Sequence, residues 1–163
     1  MEYRLDLNNL YKILELVSDY NCKLLPVIKG RDEEDILQLY NEGFREFGEN
    51  RLNELSDHAR FLPEARFHFI APLQSRKIRE IMNSCDFIHT LQRPKEILAI
   101  NECYENQDIF VQINIDDDPN KSGIKINEVD AANKAFEDLM GGETDARKRF
   151  IAENSLKVAN LDI

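Results

Sequence analysis

The sequence predicts an α/β fold with about five to six parallel strands. Five short runs rich in β-branched and aromatic residues alternate with stretches whose apolar residues recur every three or four positions. The links between them are short, which favours parallel strands joined by right-handed crossovers. This pattern suits either an open doubly wound sheet or a (β/α)₈ barrel.

Each element is predicted from its own pattern of apolar residues and turn signals. The predicted strands are 22–30, 44–48, 66–70, 85–89 and 108–115. The predicted helices are 5–20, 31–43, 51–61, 73–82, 94–104, 128–140 and 144–158. Pro94 suits the first turn of its helix. Residues 155–163 fit either a helix end or a short strand, and no sixth strand is defined by the pattern.

The first strand, 22–30, ends on Lys29 and Gly30. A short apolar run bounded by a turn is typical of a buried strand, and its last residue emerges where α/β folds bind ligands. A lysine at this place is either a solvated charge at a strand end or an amine directed at a ligand. When neutral, such an amine forms a Schiff base with an aldehyde.

The other strand ends add polar groups to the same predicted edge. The residues expected there are Lys29, Glu49, Asn50, Ala71, Pro72, His89, Thr90 and Asn114. An amine, amides, an imidazole and a carboxylate together could orient a polar planar ligand. Asn50 is equally a residue type that caps helices, and His89 is equally compatible with a structural hydrogen bond.

Composition excludes several classes of partner. The formal net charge of -10 disfavours general binding to nucleic acid or anionic membranes. There is no apolar stretch long enough for a membrane helix, and the amino terminus lacks the apolar centre of a signal peptide. Cys22, Cys85 and Cys103 have no C-x-x-C spacing, so free thiols in a reducing cytoplasm are expected and no metal site is predicted.

Two basic segments stand out in this acidic chain. Residues 74–79 carry two arginines and a lysine, and Lys121 precedes Ser122 and Gly123 in a polar loop. Both are compatible with anion contact near a helix terminus. Both are equally compatible with a solvated surface.

Ordered motifs give the sequence a family resemblance. They are Leu25-Pro26-Val27-Ile28-Lys29, Phe47-Gly48-Glu49-Asn50-Arg51, His68-Phe69-Ile70-Ala71-Pro72-Leu73-Gln74-Ser75-Arg76-Lys77, Ile88-His89-Thr90, Gln112-Ile113-Asn114-Ile115 and Lys121-Ser122-Gly123-Ile124. With these motifs the chain resembles the pyridoxal-phosphate homeostasis proteins, which share the barrel fold of the alanine racemase amino-terminal domain. The resemblance covers about residues 5–125 of one domain spanning 1–163, with 126–163 divergent.

The resemblance implies an incomplete TIM-barrel-like fold and a non-catalytic protein that binds pyridoxal 5′-phosphate for cofactor homeostasis. Lys29 would form the internal aldimine, Asn50 would lie near the cofactor, and the strand end from His68 to Pro72 would line the ring face. The cofactor-binding residues expected from the resemblance and the strand edge together are Lys29, Asn50, His68, Ile70, Pro72, His89 and Asn114.

Departures from the family pattern limit what is implied. Gly30 follows the lysine where the family usually has threonine, Ala71 replaces a glycine, and Arg76 replaces an asparagine. The family's carboxyl-terminal phosphate-binding segments are missing, so the chain is expected to be truncated and cofactor binding to be weak or absent. An incomplete barrel also exposes sheet edges, which makes self-association possible.

Two other functions compete with cofactor binding. The first is an interaction or scaffold protein that kept the fold and lost the cofactor. The second is a pyridoxal-phosphate enzyme such as a racemase, which needs acid and base groups on both faces of the cofactor. The sequence identifies no tyrosine for that role, so the racemase ranks last.

Overall fold

The computed structural model describes residues 5–20 and 22–139, with side chains described up to residue 134. The predicted helix 144–158 and the ambiguous segment 155–163 lie outside the described residues. The helices are α1 (Leu7–Ser18), α2 (Glu33–Asn41), α3 (Leu52–Phe61), α4 (Ile78–Met82), α5 (Pro94–Asn101) and α6 (Val129–Leu139). The strands are β1 (Glu46–Glu49), β2 (Arg66–Phe69), β3 (Phe87–Leu91), β4 (Asp108–Val111), β5 (Ile113–Asn114) and β6 (Ile124–Lys125).

The strands form parallel sheets, as the alternating pattern predicts. The main sheet has the order β1-β2-β3-β4, and β5 pairs with β6 in a second parallel sheet. Across the described residues the main sheet stays open and does not close into a barrel. The observed architecture is therefore a partial (β/α) fold with helices following the strands.

The prediction of a strand over 22–30 is wrong for most of its residues. In this segment only Val27 forms a bridge, which pairs in parallel with Gly48 at the free edge of β1. Two backbone hydrogen bonds hold it, from Ile28 N to Gly48 O at 2.9 Å and from Gly48 N to Pro26 O at 2.8 Å. Pro26 has no N–H to donate, so the ladder cannot extend, and the segment becomes a short edge contact.

The predicted strand 108–115 is divided at Gln112. Its N–H donates to Leu91 O of the main sheet, while its carbonyl accepts from Ile124 N of the second sheet. The second sheet contains β6, which sequence patterning did not find because it has only two residues. Gly123 enables this pairing: its φ is +123°, and a Cβ there would lie 2.7 Å from Asn114 N.

The predicted helix 73–82 also needs correction. A short 3₁₀ turn, Ser75–Lys77, leads into α4, and residues 71–74 are irregular. The Leu73 carbonyl accepts from Arg93 Nη2 at 2.6 Å, so it is not available to an extended helix. Pro94 opens α5, as predicted. The helix predicted over 31–43 forms as α2 after Asp32, whose side chain accepts from Asp35 N at 2.9 Å.

The hydrophobic core lies between the helices and one face of the main sheet. Phe47, Phe67 and Ile88 project from the strands into this core and are buried. The helices contribute apolar side chains including Ile36, Leu55, Ile78 and Ile81. Each large side chain buried this way contributes roughly 1.5–3 kcal/mol.

The opposite face of the main sheet carries polar and aromatic residues. His68 stacks on Phe87 with ring centroids 3.9 Å apart, and Phe110 lies 6.5 Å beyond Phe87. Arg66 covers Phe87 at 4.2 Å. We call this side the inner face, because it corresponds to the interior side in barrels of this class. Among the described helices, none has the length and apolar character needed to cross a membrane.

Candidate functional site

Two concave regions lie at the carboxyl ends of the parallel strands. The larger, the α3 cleft, has a volume of about 530 Å³. It is lined by Asn50, Arg51, Leu52, Asn53, Glu54, Phe69, Ala71, Pro72, Gln74, Lys77 and Ile81. The smaller, the β-edge pocket, has about 270 Å³ and is lined by Ile70, Pro72, Thr90, Gln112, Asn114, Lys121 and Ser122. Pro72 borders both regions.

Asn50 contributes an unused polar group to the α3 cleft. Its Oδ1 atom is buried and accepts no hydrogen bond from the described part of the chain. Its side chain does not cap α3, since Glu49 Oε1 accepts the N–H groups of Asn50 and Arg51 at 2.7 and 3.1 Å. Asn50 is therefore available to a ligand, and the helix-cap alternative does not describe this structure.

Glu49 is a structural carboxylate behind the cleft. It is fully buried at the end of β1, and its Oε2 lies 3.4 Å from Nδ1 of His58 on α3. A negative charge at a helix amino terminus is stabilising, which explains an acid directly before α3. Through the Asn50 N–H, Glu49 fixes the backbone of the residue that faces the cleft.

Lys29 lies beside the α3 cleft through its neighbour Gly30. The Gly30 N–H donates to Glu54 Oε2 at 2.6 Å, and a Cβ on Gly30 would lie 3.8 Å from Arg51 Nη1. The Lys29 side chain is exposed, and Lys29 is not among the residues lining either region. The backbone next to Lys29 thus lies against Arg51 and Glu54, two charged residues that line the cleft.

Arg51 and Glu54 form an ion pair at this rim. Arg51 Nη1 donates to Glu54 Oε1 at 2.6 Å. The Arg51 guanidinium and then the Gly30 N–H lower the pKa of the Glu54 carboxyl. Sequence reasoning did not identify Glu54, although an acid in the first turn of α3 is a signal for a role at a helix amino terminus.

The β-edge pocket brings together Ile70, Pro72 and Asn114 from the predicted set. The Asn114 side chain already makes hydrogen bonds within the fold: Nδ2 donates to Asp118 O at 2.8 Å and Oδ1 accepts from Asp118 N at 3.3 Å. Thr90 donates to Ala71 O at 2.6 Å, tying β3 to the turn after β2. Sequence reasoning missed Gln112, whose buried Oε1 accepts nothing from the residues described.

His68 and His89 lie together on the inner face, apart from the lining of both regions. Their ring atoms Nδ1 and Nε2 share a hydrogen bond of 2.8 Å. The expectation that His89 ends its strand is wrong: β3 continues to Leu91 because the Leu91 carbonyl accepts from Gln112 N. Burial lowers the pKa of both imidazoles, to about 3 for His68, where the His89 ring and Arg66 add to the effect.

The two basic segments are placed differently. Gln74 and Lys77 line the α3 cleft, so part of the 74–79 segment faces it. Lys121 lines the β-edge pocket and its Nζ lies 3.4 Å from Asp116 Oδ2. Within residues 5–20 and 22–139, no three His, Cys, Asp or Glu residues are grouped to hold a metal ion.

Known proteins similar to this chain share the family that the motifs suggest. A family described as "Alanine racemase, N-terminal domain" matches residues 7–145. A pyridoxal phosphate homeostasis protein of Pasteurella multocida (strain Pm70) is 36% identical over 115 residues, covering 66% of this chain and 49% of the relative. A protein of the same name from Escherichia coli (strain K12) is 34% identical over 132 residues, covering 71% and 53%. The chain therefore spans about half the length of the curated relatives it matches.

Solved structures agree on the fold. PipY of Synechococcus elongatus PCC7942, solved without PLP, has a TM-score of 0.67 at 23% identity and covers 86% of this chain and 75% of PipY. The same protein with PLP bound has a TM-score of 0.60 at 22% identity, covering 77% and 64%. Both likenesses support a partial TIM-barrel-like architecture. With the family match extending over most of its length, the chain belongs to the alanine racemase amino-terminal domain family.

Proposed function

We propose that this chain is a non-catalytic pyridoxal 5′-phosphate-binding protein of cofactor homeostasis, with Lys29 as the covalent attachment point. The observation that carries this proposal is the placement of Lys29 beside a cleft in which the buried Asn50 Oδ1 accepts no hydrogen bond from the described chain. Relatives named pyridoxal phosphate homeostasis proteins and the PLP-bound PipY structure support it.

The residues present fit the aldehyde side of this cofactor. When bound, pyridoxal phosphate supplies an aldehyde carbon to which the neutral Lys29 amine adds; a C=N bond forms and the carbonyl oxygen leaves as water. The α3 cleft is within the size range of small-molecule sites, and Asn50 offers it a free polar group. Pro72 contributes apolar surface to its lining.

The other residues predicted to bind the cofactor have secondary roles in this proposal. Ile70, Pro72 and Asn114 border the β-edge pocket, next to the α3 cleft across Pro72. His68 and His89 hold β2 and β3 together below these strand ends. We expect His68 and His89 to shape the site from the inner face as a neutral pair.

Two polar side chains of the α3 cleft are donors for the cofactor's phosphate in this proposal. They are Gln74 and Lys77, which both line the cleft. Each charge-assisted hydrogen bond to a phosphate contributes about 1.5–3 kcal/mol.

The test is covalent trapping. Purified chain is mixed with pyridoxal phosphate, reduced with borohydride, digested, and the modified peptide is identified by mass spectrometry. We expect the adduct on Lys29 and its loss in Lys29→Ala, because only an amine that reaches the aldehyde is trapped. Lys23→Ala, which removes an exposed lysine from the same segment, is the matched control and should keep the adduct. A wild-type chain that is not labelled at Lys29 at excess cofactor contradicts the proposal.

A cofactor-free interaction protein is the second candidate. The observation favouring it is apolar exposure at the sheet: Val27 is 44% exposed at the open edge and Phe110 is 38% exposed on the inner face. Unpaired edges and apolar faces of this kind recruit another chain. We propose that the chain self-associates through this edge whether or not cofactor binds.

A racemase-type enzyme is not supported by the two tyrosines on the first helices. Tyr11 on α1 donates to Glu42 at 2.7 Å and Tyr40 on α2 packs under Arg45, and neither lines the α3 cleft. We further propose a single domain and a cytoplasmic location. The free thiols of Cys22, Cys85 and Cys103 support that location.

A further inference from the structure

The chain on both sides of Lys29 is held in place. On one side, Ile28 is fully buried and its N–H donates to Gly48 O at 2.9 Å, which anchors it to the sheet edge. On the other side, the Gly30 N–H donates to Glu54 Oε2 at 2.6 Å. Arg31 N closes the turn by donating to Ile28 O at 3.0 Å. Lys29 is thus the exposed residue of a turn fixed at both ends.

The turn depends on the conformation of Gly30. Its φ of +66° lies in the left-handed region, which directs its N–H toward the first turn of α3. Glu54 is the third residue of α3, so the bond joins the Lys29 turn to the helix that forms one wall of the α3 cleft. The Glu54 carboxylate therefore links the Lys29 turn directly to the wall of the cleft.

Glu54 is itself held by Arg51. Both carboxylate oxygens are used, Oε1 by the Arg51 guanidinium and Oε2 by the Gly30 N–H, each at 2.6 Å. Hydrogen bonds to an ionised acceptor are stronger than neutral ones. The carboxylate is only partly exposed, so solvent competes with these bonds less than at an open surface.

We propose that Glu54 is a positioning residue for Lys29: by accepting the Gly30 N–H it holds the Lys29 turn beside the α3 cleft, from which the lysine amine reacts with a bound aldehyde. This inference rests on the proposed function. The condensation itself is unchanged, with C=N formation at Lys29 and release of water. Glu54 touches neither reacting atom and acts through the turn.

The test separates cofactor binding from covalent reaction. Pyridoxine 5′-phosphate carries an alcohol in place of the aldehyde, so it measures binding without Schiff base formation. Because Glu54 also lines the cleft, the test compares two losses in Glu54→Ala. We expect the borohydride-trapped yield at Lys29 with pyridoxal phosphate to fall about tenfold, and analogue binding to weaken by clearly less than that. Glu54→Gln keeps an acceptor oxygen and should recover part of the yield.

The matched control lies on the same helix. Asp57 and Arg60 form an i,i+3 ion pair at 3.2 Å, as Arg51 and Glu54 do, but both are exposed and neither lines the α3 cleft. Asp57→Ala should leave analogue binding and trapped yield unchanged. Thermal unfolding of each variant is measured alongside, and Glu54→Gln is the variant to use if Glu54→Ala does not fold.

The outcomes are distinct. A wild-type yield in both Glu54 variants overturns the positioning role while leaving the proposed function intact. An equal loss of analogue binding and trapped yield overturns it too, because that result means Glu54 supports the cleft as a whole. If the wild-type chain is not trapped at Lys29, the proposed function fails, and the positioning role fails with it.

Discussion

At the residue scale, the pair His68 and His89 shows how a buried site constrains charge. The two rings share one hydrogen bond, and His68 lies against Phe87 with its Nε2 3.8 Å from Glu46 Oε2. The Arg66 guanidinium packs on the Phe87 ring, and its charge disfavours a positive charge on the neighbouring His68. The folded chain therefore holds the neutral pair.

This arrangement predicts a loss of stability in acid. The folded pKa of His68 is about 3, below the ordinary 6.5, so the unfolded chain binds the proton more tightly. Above pH 6.5, His68 is neutral in both the folded and the unfolded chain, so its titration does not change stability. As the pH falls from 6.5 toward 3, the free energy of unfolding decreases by up to about 1.4 kcal/mol per pH unit. Urea unfolding at a series of pH values measures this slope.

The variant for this prediction is His68→Phe, which keeps an aromatic ring against Phe87 and removes one titrating group. We expect the free energy of unfolding to depend less on pH between 6.5 and 4.5 than in the wild type. The comparison uses the slope within each protein, so a constant loss of stability from the substitution does not affect it. An unchanged slope would show that His68 does not carry the effect.

At the element scale, α5 depends on one buried carboxylate at its start. Glu96 is fully buried; its Oε2 accepts the N–H groups of Gln92 and Arg93 at 3.0 and 2.9 Å. Its Oε1 accepts from Arg93 Nε at 2.7 Å, and Arg93 Nη2 reaches Leu73 O. The network joins the start of α5 to the irregular segment before α4.

Replacing Glu96 should weaken this junction. We expect Glu96→Ala to lower the free energy of unfolding by about 2–3 kcal/mol, since bonds to a charged acceptor are lost and buried donors stay unpaired. Glu96→Gln should lose less, because its amide oxygen still accepts. Glu102→Ala, at the exposed end of the same helix, is the control and should change little. Chemical denaturation followed by circular dichroism measures each value; equal losses at both positions would argue against the network.

The elements also show which local signals were sufficient. The start of α5 at Pro94 follows from proline's preference for the first helical turn, which acts locally. The first strand does not follow, because its ladder depends on Pro26 facing a partner strand that is distant in sequence. The two-residue strands β5 and β6 are too short to show a period.

At the scale of the whole molecule, the open edge beside β1 is the exposed end of the main sheet. Among the described residues only Val27 bridges there, and its side chain is 44% exposed. Sheet edges with few ladder bonds are templates for pairing with another chain, which is the basis of the self-association proposed above.

The corresponding prediction is that association requires this edge. Sedimentation velocity over a range of concentrations should show association in the wild type that decreases in Val27→Lys, because a charged side chain opposes edge pairing. Leu37→Lys is the matched control: Leu37 is 43% exposed and lies on helix α2 rather than in the edge segment, so its replacement should leave association unchanged. A wild-type chain that remains monomeric, or equal effects of both variants, would contradict the edge model.

The sequence by itself determined the alternation of strands and helices, the parallel sheet and the family, because these depend on periodicity and on ordered motifs. It also predicts Lys29 and Asn50 as candidate cofactor-binding residues, because each follows an extended segment. Only the tertiary structure decided which groups meet: Asn50 at the α3 cleft, Ile70 and Asn114 at the β-edge pocket, and the two histidines on the inner face.

The physical reason is that these contacts join segments distant in the chain. The bond from Gly30 to Glu54 spans 24 positions, and the bond between the two imidazoles spans 21. Local preferences carry no information about such pairs, whose geometry is set by strand register and by the turn at Gly30. Sequence pattern thus places Lys29 after the first strand segment, and tertiary structure adds the carboxylate of Glu54 that holds its turn at the cleft.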